Sequence, residues 1–145
     1  MIPYLMALLS MILVSRSSDR TLERRYHATI PLIIGGIALM LLGTAVSPSL
    51  SIALLSFAAM GIYSFLGPFW TMPSEFLTGY SAASGIALIT SIANLGGFVG
   101  PYAIGAISDR TGSLYLGMAI AGLALFVSAT LVFLLPRKTG ALAKR

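Results

Sequence analysis

The sequence predicts an all-α membrane protein, a bundle of five helices crossing a bilayer. Three observations carry that prediction. No Asp, Glu, Lys or Arg occurs in the 49 positions between Arg25 and Glu75, in the 33 between Glu75 and Asp109, or between Arg110 and Arg137. The 145 residues are 57% hydrophobic and only 9% charged, where soluble domains carry roughly 25% charged residues. Eight of the nine basic residues fall in two clusters, at 16–25 and 137–145, that flank apolar stretches. A soluble domain needs charged faces at helical or strand spacing, whereas a bilayer asks for nearly charge-free runs of about 20 residues.

The same distribution decides what the net charge of +5 means. Basic residues gathered beside apolar segments are a topology signal, not a nucleic-acid groove. The chain has no cysteine, which excludes disulfides, thiolate metal sites and cysteine nucleophiles. Its one histidine, His27, cannot build a metal site alone, and no cofactor is expected.

Five spans are expected, at about residues 1–15, 29–46, 50–72, 85–107 and 113–135, with a tail at 136–145. The first ends at Arg16 and is short. Its positive charge follows the apolar run, whereas a signal peptide carries it in front. It therefore reads as a helix whose beginning is missing. Ser47-Pro48-Ser49 separates the second span from the third. Pro73-Ser74-Glu75 and the Gly/Ser/Ala-rich stretch to Ser84 read as a loop, and residues 108–112 as a tight polar turn. The two basic clusters are four spans apart, so they share a side. The positive-inside rule makes that side cytoplasmic. The basic loop at 16–27 and the tail are then inside, and the uncharged linker at 47–49 and the turn with Asp109 and Arg110 are outside.

Three groups of residues invite chemistry. Asp19 and Arg20, followed by Glu23, Arg24 and Arg25, lie on the cytoplasmic side between the first two spans. Taken alone, they are a solvated topogenic cluster. Asn94, the only amide in the spans, sits near the middle of the fourth. An amide in hydrocarbon costs several kcal/mol unless hydrogen-bonded, so Asn94 must face another helix or a watery cavity. Thr90 is one turn earlier on the same face. Taken alone, it is a hydroxyl bonded back to its own helix. Trp70 is a belt residue or a cavity residue at the cytoplasmic end of the third span, with Tyr63 two turns inward. Gly96 and Gly100 form a GxxxG beside Pro101, which suits close helix packing. No Ser/His/Asp arrangement, phosphate loop or carboxylate pair appears, so an enzyme is not expected.

Two longer stretches are more specific: Gly67-Pro68-Phe69-Trp70-Thr71-Met72-Pro73 with Glu75 and Gly79, and Gly85 through Thr90, Asn94, Gly96, Gly97 and Gly100 to Pro101-Tyr102. With the Asp19-Arg20 pair and the turn around Asp109, they resemble helices eight to twelve of the major facilitator superfamily, in its anion:cation symporter family of tartrate and sugar-acid transporters. The resemblance covers essentially the whole chain. Ser15 and Leu22 stand where the family's loop motif carries glycine, Thr90 where it usually has asparagine and Ala93 where it usually has glycine.

The resemblance implies a bundle of the superfamily's type, two six-helix halves of which this chain is the C-terminal part. It implies proton-coupled symport of a small organic anion across the cell inner membrane. Asn94, Thr90, Trp70 and Tyr63 would face the substrate. Asp19, Arg20, Arg24, Gly96, Gly100 and Pro101 would serve the conformational change. No carboxylate or arginine lies inside the spans, so proton coupling and recognition of the substrate's carboxylate fall to the missing N-terminal half. These residues are expected to be inactive on their own. The other reading is a small stand-alone helical scaffold of the lipid bilayer, or a non-functional remnant.

Overall fold

The computed structural model describes residues 1–76 and 79–135. Among them are five α-helices and one turn of 3-10 helix: α1 (Ile2–Thr21), α2 (Arg24–Leu41), the turn Leu42–Thr44, α3 (Pro48–Phe76), α4 (Tyr80–Thr111) and α5 (Leu114–Leu134). Four stretches are long and apolar enough to cross a membrane: Arg24–Thr44, Pro48–Ser74, Tyr80–Thr111 and Leu114–Leu134. The fifth helix, α1, carries Arg16, Asp19 and Arg20 in its last turns and is not among the four. The basic tail at 136–145 lies outside the described residues.

The helices run past the limits that hydropathy set. Residues expected as loop after Pro73 belong to α3 as far as Phe76, and α4 resumes at Tyr80. The polar turn at 108–112 is mostly the last turn of α4, which ends only at Thr111. Likewise α1 continues through Arg16, Asp19 and Arg20 to Thr21, leaving Leu22 and Glu23 between it and α2. The reason is that hydropathy marks the hydrocarbon layer while backbone hydrogen bonding marks the helix. At 1.5 Å per residue the 32 residues of α4 extend about 48 Å, well beyond a hydrocarbon core of about 30 Å.

Two helix ends are set by left-handed residues. Gly112 (φ 65°) closes α4 and donates its N–H to the Ser108 carbonyl at 2.8 Å. Leu22 (φ 57°) closes α1 in the same way, onto the Ser18 carbonyl at 2.9 Å. Leucine meets a steric cost there that glycine does not.

Packing follows the small residues. α3 lies along both α1 and α2, α2 along α5, and α5 along α4, while α4 meets α3 only sparsely. Between α2 and α3, a Cβ on Gly61 would meet the Pro31 carbonyl oxygen and lie 2.7 Å from Gly35. Between α2 and α5, a Cβ on Gly122 would lie 2.8 Å from the Gly36 carbonyl oxygen. Between α4 and α5, a Cβ on Gly117 would lie 2.7 Å from Ile104. In a bilayer burying apolar surface gives helices little reason to associate, so close backbone approach supplies the contact. Around these crossings pack Ala38, Leu39 and Ala58 in one cluster and Ala28, Met72 and Val132 in another. Helix α4 stands apart, with no buried residue along its length.

Candidate functional site: the open face of α4 and the α1–α2 joint

Half-buried residues of α4 such as Ile104 and Ile107 mark the side that meets α5, where Ile104 packs on Gly117. Thr90 and Asn94 are exposed. The Thr90 hydroxyl donates to the Ile86 carbonyl at 2.8 Å, and Ser91 does the same to Ala87 at 2.8 Å. Thr90 therefore satisfies its donor within its own helix and keeps a lone pair free to accept. Asn94, one turn on, is likewise exposed.

The GxxxG stretch suits close packing inside the bundle, but no described helix packs on it. A Cβ added at Gly96, Gly97 or Gly100 would meet nothing within 4 Å. Pro101 continues the same exposed surface inside α4. Having no N–H, it leaves the Gly97 carbonyl without its usual helical donor.

Tyr63 and Trp70 sit two turns apart on α3. Tyr63 stacks edge-on with Tyr4 of α1, ring centres 6.1 Å apart. The two rings, with Ala7, Leu8 and Met11, line an apolar cavity of about 200 Å³ between α1 and α3. Trp70 packs edge-on against Phe69 at 5.5 Å and keeps 36% of its surface exposed. Among the described residues no hydrogen bond or ring contact joins Tyr63 or Trp70 to Thr90 or Asn94. The four are on adjacent helices but not in one contact cluster.

The second region is the joint between α1 and α2. Asp19 in the last turn of α1 forms an ion pair with Arg24 in the first turn of α2. Arg24 also donates to the Ser18 hydroxyl at 3.2 Å, and Ser18 is fully buried. His27 bridges the joint: Nδ1 donates to the Glu23 carbonyl at 2.6 Å, and Nε2 shares a hydrogen bond of 2.9 Å with the Ser17 hydroxyl. Arg20 is exposed on the outer side of the joint.

Sequence reasoning missed two polar contacts in the apolar body. Ser10 and Ser64 share a hydrogen bond of 2.6 Å between α1 and α3, with Ser64 fully buried. Ser15 packs onto Gly67 so closely that a Cβ there would collide with the Ser15 hydroxyl. Their signal was present as isolated serines within charge-free runs, facing a serine or a glycine.

A multi-pass helical membrane protein is thus defined, with small-residue crossings, a charged joint and one uncovered helix. The chain belongs to the MFS-type transporters: the family model described as "Uncharacterised MFS-type transporter YbfB" matches residues 4–133. It is 36% identical over 137 residues to the "Quinolone resistance transporter" of Acinetobacter baumannii, covering 94% of this chain and 32% of that protein. It is 40% identical over 138 residues to a "Putative tartrate transporter" of Agrobacterium vitis, covering 95% and 31%. It is 38% identical over 139 residues to the "Putative metabolite transport protein NicT" of Pseudomonas putida, covering 94% and 32%. The chain spans about a third of the length of these curated relatives. No solved structure matches it.

Proposed function

We propose that this chain forms part of a secondary transporter that moves a small organic anion of the tartrate or sugar-acid kind together with protons across the cell inner membrane. The observation that carries the reading is the polar pair Thr90 and Asn94 on a face of α4 that no other described helix covers. A polar wall in an otherwise apolar helix suits a watery path. Two relatives named putative tartrate transporters and the metabolite transporter NicT match along nearly the whole chain.

In this reading the Asn94 amide N–H donates to the substrate's carboxylate oxygens and its carbonyl oxygen accepts from a substrate hydroxyl, and Thr90 lines the same wall. Trp70 and Tyr63 shape the cavity from α3. Proton coupling and the cation that pairs with the substrate's carboxylate belong to the two thirds of the transporter that the relatives have and this chain does not span. Such transporters place the site between two halves and alternate access by moving one against the other. The uncovered stripe of Gly96, Gly100 and Pro101 is where the other half bears. The joint of Asp19, Arg20 and Arg24 braces the cytoplasmic end.

The test is uptake of labelled tartrate and related sugar acids into proteoliposomes that hold the full-length transporter containing this segment. Uptake that rises with an inward proton gradient and collapses with a protonophore supports the proposal. Uptake indifferent to the gradient, or absent across a panel of sugar acids while a cationic or neutral substrate is carried, sinks it.

A further inference from the structure

Between them, α2 and α5 leave an open groove of about 390 Å³. Its walls are Ile30, Ile33, Phe126 and Phe133, and it ends at Tyr26 where α2 begins. Two features separate it from an ordinary lipid-facing furrow. The first is a cation at its mouth: the Arg25 guanidinium lies 4.9 Å from the centre of the Phe133 ring, and its Nε is buried without a hydrogen-bond partner. Tyr26 meets the same ring edge-on at 6.0 Å.

The second is Thr29. It lines the groove at 7% exposure, and its hydroxyl is buried without a partner. Several hydroxyls elsewhere in these helices are satisfied by the carbonyl four residues back, as in Ser56 to Ile52, Thr90 to Ile86, Ser128 to Ala124 and Thr130 to Phe126. Thr29 makes no such bond. A buried hydroxyl left unpaired is costly, and the groove supplies the space for an acceptor.

We propose that this groove binds an anionic phospholipid. The phosphate pairs with Arg25 and accepts from the Tyr26 hydroxyl. One acyl chain lies along Ile30, Ile33 and Phe126. A glycerol ester carbonyl accepts from Thr29. The register fits: Thr29 is one helical turn beyond Arg25, about 6 Å along the axis, the order in which a phospholipid presents its phosphate and then its ester. Basic pockets between transmembrane helices suit anionic headgroups, and the guanidinium prefers a planar, multi-donor contact with phosphate.

The test is lipid retention. The full-length transporter containing this segment is reconstituted into vesicles of phosphatidylglycerol and phosphatidylcholine in equal amounts, extracted in detergent, and its bound lipid is counted. One well-placed arginine corresponds to about a fivefold preference for the anionic lipid. Arg25→Gln should bring that preference to about one, while Arg25→Lys keeps most of it. Thr29→Val should lower total retained lipid with the preference intact, because both lipids carry the ester. Arg16→Gln, which removes an exposed cation outside the groove, should change neither. Equal retention of the two lipids by the unaltered chain overturns the proposal, as does an equal loss in Arg16→Gln and Arg25→Gln. In a third arm, the lipid-free chain is offered inorganic phosphate. Phosphate binding that Arg25→Gln removes and Thr29→Val leaves alone assigns the site to a free anion and also overturns it.

Discussion

Asp19, in the last turn of α1, is ion-paired to Arg24, in the first turn of α2. Each residue alone sits at the wrong end of its helix. A carboxylate is disfavoured near a helix C-terminus, and a cation near an N-terminus. The pair turns two unfavourable placements into one contact across the break at Leu22. Asp19 keeps 64% of its side chain exposed, whereas Arg24 keeps 15% and also holds the buried Ser18.

That asymmetry separates the two substitutions. Asp19→Ala should cost less than about 1 kcal/mol of stability, the range of an exposed ion pair. Arg24→Ala should cost about 1–3 kcal/mol, because it also strips a partner from a buried hydroxyl. In the full-length transporter Asp19→Ala should slow uptake several-fold with substrate affinity retained. Thermal unfolding with equilibrium binding and initial uptake rates checks all three. An unchanged uptake rate returns the cluster to a purely topogenic role.

Leu22→Gly should stabilise the α1–α2 joint by up to about 1 kcal/mol. The change relieves a left-handed leucine, and Leu22 is 75% exposed, so little packing is lost. A higher midpoint of thermal unfolding is the readout. The same residue stands where the superfamily's loop motif carries glycine, and its φ of 57° gives that preference a physical cause.

Gly61→Ala and Gly96→Ala should differ sharply. A Cβ at Gly61 collides with backbone of α2, and overpacking of this kind costs typically about 1–3 kcal/mol. A Cβ at Gly96 meets nothing within 4 Å, so residues 1–135 should be unaffected in stability. If the other half of the transporter slides against this stripe, Gly96→Ala should still reduce uptake in the full-length protein. Equal stability losses for the two variants would contradict the helix arrangement.

The four long apolar helices were legible because charge-free runs are a direct record of the hydrocarbon layer. Their ends were not, since Ser74, Tyr80, Ser81 and the residues around Asp109 remain helical beyond the apolar runs. The Asp19–Arg24 pair was hidden because the two residues straddle a left-handed break rather than one helix face. The glycines of α4 announced close approach, but a small-residue stripe does not say which helix approaches. Among the described helices the close approaches are at Gly35, Gly36, Gly61, Gly67, Gly117 and Gly122.

Membrane sidedness is testable because the chain lacks cysteine. Ser18 is fully buried and unsuited to labelling, whereas Thr21 is exposed and Ser113 partly so. Three helices separate Thr21 from Ser113. Thr21→Cys should therefore label from the cytoplasmic side and Ser113→Cys from the outside, as the eight-to-one distribution of basic residues requires. Labelling of both from one side would rule out the arrangement of spans.

Asn94→Ala is the sharpest separation of binding from structure. Asn94 is exposed on α4, and no described helix covers its face. Its loss should leave the packing of residues 1–135 intact. In the full-length transporter it should weaken substrate affinity by about 1–3 kcal/mol, the cost of leaving the substrate's buried polar group without its partner. Thr90→Asn places a longer amide one turn away and should be tolerated, with a shifted preference among sugar acids. Equilibrium binding to purified variants, with folding followed by thermal unfolding, decides the matter. An Asn94→Ala protein that binds substrate normally and unfolds earlier shows that the amide ties α4 to a helix of the other half and does not touch the substrate.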